Sequence, residues 1–329
     1  MPYRFKAGET VPENIQRIVL EELESGADVL TNSNNRDEAI HEARKSVKKI
    51  RGALRLMRPE LGETYATETK HFRGIGHQLS DIRDAAAVLE IFDGVVGKYT
   101  ATLNRRAILA IRRTLEDEKK QKEQGTEAAK VVRGAIGLFR SAAKRVEEWP
   151  LKRDGFAAIS PGLKLTYQTG RKALKLVSKD PSDTNFHYFR RRAKDHWYHI
   201  RLLESLWTEV MQAHEASLKD LEQWLGDDHN LVVLREKLEE ASDRYGGSET
   251  VKAFLSITGR HQAELREQAL SLGQRVYQQK PKLFTTAMEE LWDIWQDQPD
   301  SMKDSQKQQR DGGKKQARPP QRKRAASAA

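Results

Sequence analysis

Apolar residues recur along this chain at helical spacing, and no stretch shows the strict alternation of a half-buried strand. Val11 and Pro12 open a first helix in which Ile15, Ile18, Val19 and Leu23 share a face that continues to about Leu30. Thr31 to Asn35 is a loop by composition. Asp37 is placed to cap a second helix whose inner side is Ile40, Val47, Ile50, Leu54 and Met57, and Pro59 ends it. One helical pattern covers 64–96 (Phe72, Ile75, Leu79, Ile82, Val88, Leu89, Phe92), and another covers 99–115. Residues 116–124 lack an apolar face and read as a solvated helix end before a turn at Gly125. A weaker helix spans 128–146.

From Trp149-Pro150 to Ser160-Pro161 the pattern breaks, which marks a junction. It resumes over 162–177, turns at 179–183, and gives helices to about Leu206, then over 208–243, 249–278 and 282–295. The expected fold is all-α. From Pro299 onward no periodicity remains, so 299–329 is expected to be a disordered basic tail.

The 329 residues are 37% hydrophobic and 32% charged, which suits long helices with solvated outer faces. Of the net charge of +10, the tail carries +6 and the body only +4. Such a balance points to phosphate-rich partners. With no cysteine there is no disulfide, thiolate nucleophile or cysteine metal site. No apolar run is long enough to span a bilayer and the start lacks a secretory core, so the expected location is cytoplasmic.

Charge becomes informative when the chain is laid on itself with a shift of 146 residues. His41 then falls on His187, Arg44 on Arg190, Lys45 on Arg191, Lys48 on Lys194 and Arg55 on Arg201. Leu79-Ser80-Asp81 falls on Leu225-Gly226-Asp227, Arg83 on His229 and Asp84 on Asn230. The body, 11–298 after a ten-residue lead, thus reads as a duplicated unit, with halves of about 11–150 and 156–298. On a helix the shared basic offsets lie at roughly 0°, −60°, 40°, −20° and −40°, a stripe about 21 Å long. Neighbouring positions drifted: Ser46 faces Arg192, Lys49 faces Asp195 and Arg51 faces Trp197.

Like charges at these spacings mildly repel, so helix stability does not select them. Arginine forks, lysine point charges and titratable histidines together suit a ligand with many phosphates. A stripe of about 21 Å suits a linear polyanion better than a mononucleotide.

The pattern His-x2-Arg-x3-Lys, followed about forty residues later by Leu-Ser-Asp-Ile-Arg-Asp in one half and Leu-Gly-Asp-Asp-His-Asn in the other, resembles the CHAD domain, the conserved histidine α-helical domain. The resemblance covers roughly 8–297. It implies two pseudo-symmetric four-helix bundles whose basic helices line a central groove or pore that binds inorganic polyphosphate. The ligand set it implies is His41, Arg44, Lys48, Arg51, Arg55, His187, Arg190, Lys194 and Arg201. The repeat adds Lys45 and Arg191. Trp197, where the first half has Arg51, departs from the pattern, which leaves two readings of that position, a ligand contact or packing in place of a charge. Tyr167, Arg171, Arg260, Arg83 and His229 are second-rank positions. Asp81 and Asp227 are the shared acids, expected to orient basic side chains or to form ordinary interhelical salt bridges.

Other chemistry finds less support. Glu38 and His41 have the spacing of a carboxylate-bundle metal site, but Thr184 replaces the glutamate in the second half and the cations around it repel a metal. No nucleophile triad, glycine-rich phosphate loop or cofactor motif is present, and no Glu-x-Glu-x-Lys strand of the CYTH triphosphatases often fused to CHAD domains. The expectation is a non-catalytic polyphosphate binder, able to localise to polyphosphate granules, with no metal or cofactor. The alternatives are an enzyme acting on polyphosphate or phosphorylated small molecules, and a nucleic-acid-binding module. The tail adds at most weak, salt-sensitive affinity for nucleic acid. Oligomeric state is not legible in the sequence.

Overall fold

A computed structural model describes residues 3–99, 105–124 and 126–298. Among these the chain is all-α, with no strand. The turn expected at Gly125 and the tail at 299–329 lie outside the described residues. Helix α1 (Val11–Asn32) begins with a reciprocal cap: Thr10 accepts from the Glu13 N–H while Glu13 reaches back to the Thr10 N–H. Its buried face is the apolar stripe of the sequence, and it packs on α2 (Arg36–Leu56) and α7 (Thr126–Val146).

Asn35 caps α2, accepting from the Glu38 N–H, and not Asp37, which stands inside the first turn. Pro59 does not simply stop the chain. It sits in the first turn of the short α3 (Arg58–Leu61), where a missing N–H costs nothing. The stretch 64–96 divides at Leu79 into α4 (Thr64–Gln78) and α5 (Ser80–Tyr99), after Gly74 and Gly76 have weakened the helix. Then come α6 (Arg105–Gln124) and α7.

Next is α8 (Phe156–Lys179), which contains Ser160-Pro161 rather than starting after it. The second basic helix, α9 (Asp183–Leu202), ends earlier than expected, in a 3-10 turn at Glu204–Leu206. The long α10 (Thr208–Glu240), α11 (Ser248–Val276) and α12 (Pro281–Asp297) complete the fold. Shifted by 146 residues, the bounds of α1 and α2 fall within two residues of those of α8 and α9.

Two apolar cores form. The larger joins α1, α2, α4, α7, α8, α9, α12 and the first half of α10, and it also holds Tyr3 and Phe5 of the N-terminal lead. Phe5 is tied down by its N–H to Leu202 O at 2.9 Å. The smaller core gathers α5, α6, the second half of α10 and α11 around Phe92, Leu234 and Phe254. Because α10 runs through both, its midpoint is fixed where the cores meet.

One glycine sets a close approach. A Cβ on Gly162 of α8 would meet the carbonyl of Leu56, with Leu56 C at 2.7 Å and Arg55 O at 2.9 Å, so α8 can lie against the end of α2 only without a side chain there. Gly162→Ala should therefore lower stability by about 3 kcal/mol, whereas Gly137→Ala, at an exposed helical position with no neighbour within 4 Å, should raise it by roughly 0.5–1 kcal/mol. Urea unfolding midpoints at constant m-value test both.

Candidate functional site

The basic helices α2 and α9 cross at Gly52. A Cβ there would stand 2.7 Å from Tyr198 Cβ and 2.8 Å from Tyr3 Oη, so the missing side chain permits the contact. Across it, His199 Nε2 donates to Gly52 O at 3.1 Å. Burial, first of all, pushes the His199 imidazole down to about 3, so the joint is uncharged at neutral pH. From this joint the two stripes face a common cavity of about 900 Å³, closed on its other sides by α5 and α10.

The cavity collects most of the residues singled out from the sequence. His41, Arg44, Lys48, Arg51 and Arg55 come from α2, and His187, Arg190, Arg191 and Lys194 from α9. Arg83 comes from α5, with Asp227 and His229 from α10. Arg83 Nε donates to His41 Nδ1 at 2.9 Å, and the corresponding pair of the second half, His187 and His229, meets Nδ1 to Nδ1 at 3.2 Å. Burial and the neighbouring arginines keep all three imidazoles below their usual pKa, His229 down to about 4.

Five expected residues lie elsewhere. Lys45 points away and pairs with Glu42 at 2.8 Å. Arg201 lies over the rings of Trp197, Tyr3 and Tyr198 and pairs with Glu215 at 3.2 Å. Trp197 thus packs and does not line the cavity. Tyr167 is buried, stacked on Phe284 at 4.1 Å. Arg171 donates to the carbonyls of Tyr277, Gln278 and Gln279, satisfying the end of α11. Arg260 is exposed on α11.

The carboxylates that hold the cations are not the shared pair. Asp227 accepts from Gln223 at 3.0 Å, and the side chain of Asp81 lies outside the described residues. Asp195 instead bridges Arg55 at 3.0 Å and Arg192 at 3.2 Å, and Glu222 holds Lys194 and stands 3.8 Å from Arg190. At the exposed rim Asp84 meets Arg44 at 3.4 Å, and Glu90 meets Arg83 at 2.7 Å. The repeat comparison missed Asp195 and Glu222 because the matching positions are Lys49 and Gly76. Arg192 was missed because it faces Ser46.

Nine Lys and Arg side chains and five carboxylates line the cavity among the described residues, a clear cationic excess. Burial, then Lys194, Arg44 and Arg190, push the Lys48 ammonium down to about 6. Burial, then Arg55, takes Arg51 to about 10, and Arg191 is lowered by burial and Arg192. Among the described residues no carboxylate stands within ion-pair distance of these three. The buried Nε–H donors of Arg51, Arg190 and Arg192 have no acceptor. A buried donor without a partner is costly.

No helix among the described residues is long and apolar enough to cross a membrane. Comparison with solved structures finds the CHAD domain from the plant Ricinus communis, with a TM-score of 0.59 at 16% identity over 85% of this chain and 97% of that one. It also finds PptA from Streptomyces chartreusis, with a TM-score of 0.52 at 14% identity over 82% of this chain and 98% of that one. No curated protein matches the sequence. The family model of the CHAD domain matches residues 20–239, which includes both basic helices and most of α10, and the chain belongs to the CHAD domain family.

Proposed function

We propose that the protein binds inorganic polyphosphate in the cavity between α2 and α9, without catalysing a reaction on it. The observation that carries this reading is the lining of the cavity, where nine Lys and Arg side chains face five carboxylates among the described residues, and Lys48, Arg51 and Arg191 have no carboxylate within ion-pair distance. Phosphate oxygens are the acceptors best matched to arginine forks, and a chain of them meets cations spaced along both helices. The CHAD resemblance points the same way. Tyr198 is the single tyrosine, phenylalanine or tryptophan on the lining among the described residues, so stacking platforms for nucleic-acid bases are lacking. Binding of this kind would retain the protein at polyphosphate granules.

Calorimetric titration with long-chain polyphosphate at near-physiological salt tests the assignment. Each lost charge-assisted contact is worth about 1.5–3 kcal/mol, so Arg51→Met/Arg191→Met should weaken binding by about a hundredfold or more. Lys45→Met and Arg260→Met should change it less than about twofold, since exposed charges away from the cavity contribute little. A chain ending at Gln298 should bind as the whole chain does, and duplex DNA should not compete. Affinity that follows the tail, or is shared with DNA, overturns the reading.

Proton linkage gives a second test. Lys48 and the three histidines are held below their usual pKa by burial and neighbouring cations, so at pH 7.5 they carry less charge than they would beside an anion. A polyanion favours the protonated forms. Binding should therefore take up protons, and affinity should rise as pH falls from about 8 towards 6. Titrations in buffers of different ionisation enthalpy should show this uptake, reduced by up to about one proton in Lys48→Met.

A further inference from the structure

The cavity contains an anion of its own in a place that the ligand needs. Glu222 stands on α10 between the buried Leu221 and, three residues on, Leu225, so the helix face that packs into the larger core also presents its carboxylate to the cavity. The side chain is only 15% exposed. It accepts from Lys194 Nζ and lies 3.8 Å from Arg190 Nη2, and the field of Lys48 reaches it from α2. Burial opposes its charge, but Lys194 and Arg190 outweigh burial and hold the carboxyl below its usual range.

A single carboxylate oxygen, Oε1, faces both Lys194 and Arg190, as a phosphate oxygen would at the same point. The other half of the cavity has no such group. Its counterpart is Gly76, and Lys48, the counterpart of Lys194, has no carboxylate at ion-pair distance among the described residues. We infer that Glu222 is a built-in stand-in for phosphate, a competitor that polyphosphate displaces from Lys194 and Arg190, and that it sets the affinity of the site. This rests on the polyphosphate reading.

A carboxylate beside a lysine can instead position it, and the two roles predict opposite signs. Arg190 and Lys194 are four residues apart on one face of α9 and reach the cavity by the direction of that helix, so their placement does not depend on Glu222. A phosphate beside a retained carboxylate meets a like charge a few ångströms away, in surroundings where the effective dielectric constant is about 20. Repulsion therefore outweighs the loss of one orienting contact.

The experiment uses the full chain and long-chain inorganic polyphosphate, titrated calorimetrically at several salt concentrations. Glu222→Gln should bind about tenfold tighter than the wild type, with a steeper fall of log affinity against log salt, because one more pair of cations is free to meet phosphate. Its unliganded melting temperature should be lower, because Lys194 and Arg190 have lost their counter-charge. Glu222→Ala should also bind tighter, which shows that the gain is not a new contact from the glutamine amide. Equal or weaker binding by both variants, with the wild type binding, overturns the inference alone. Absence of wild-type binding overturns the polyphosphate reading and the inference with it.

Discussion

Two cationic helices must be held side by side, and that repulsion is the constraint from which the rest of the architecture follows. The helices touch where neither carries charge. Gly52 removes a side chain, Tyr198 fills the space, and a buried neutral His199 closes the joint with one hydrogen bond. Apolar packing against α1, α4, α8 and α10 then supplies the favourable free energy, and the close seat of α8 at Gly162 pins the end of α2. The cations are left facing each other across a cavity. Their mutual field, added to burial, shows in the depressed pKa of Lys48 and Arg51.

The carboxylates complete that arrangement. Asp195 sits among Arg55, Arg192 and the neighbouring Arg191, and Glu222 sits among Lys194, Arg190 and Lys48. Each offsets part of the repulsion among its cations. Neither neutralises its group fully, since buried arginine donors are still without acceptors.

Most of the helices were legible because an amphipathic stripe both forms a helix and buries it. The errors came where one residue has two uses. Proline reads as a stop, but Pro59 opens a short helix and Pro161 lies within α8. Asp37 and Asn35 are both good caps, and the helix starts at Arg36, which makes Asn35 the cap and leaves Asp37 in the first turn. In the cavity, matching one half against the other found His41, Arg44, Lys48 and their counterparts, and Arg55 without its counterpart, because those residue types recur. The same comparison could not find Asp195 or Glu222, whose counterparts are Lys49 and Gly76. It also promoted Lys45 and Arg201, which recur as charges but point to Glu42 and to the aromatic cluster around Trp197. Recurrence reports on charge along a helix, and only tertiary packing decides which charges share a space.

That division bears on what kind of anion the cavity suits. A single phosphate entering near Glu222 exchanges one anionic partner of Lys194 for another, and it gains little while losing its own freedom of motion. A linear chain loses that freedom once and then meets successive cations on both helices at high effective concentration. Lys48, Arg51 and Arg191, which lack a carboxylate partner among the described residues, supply contacts that replace no existing ion pair. On the proposed polyphosphate reading, internal carboxylates and unpaired cations together would favour long ligands over short ones, through a difference between one contact and many that no single residue could produce.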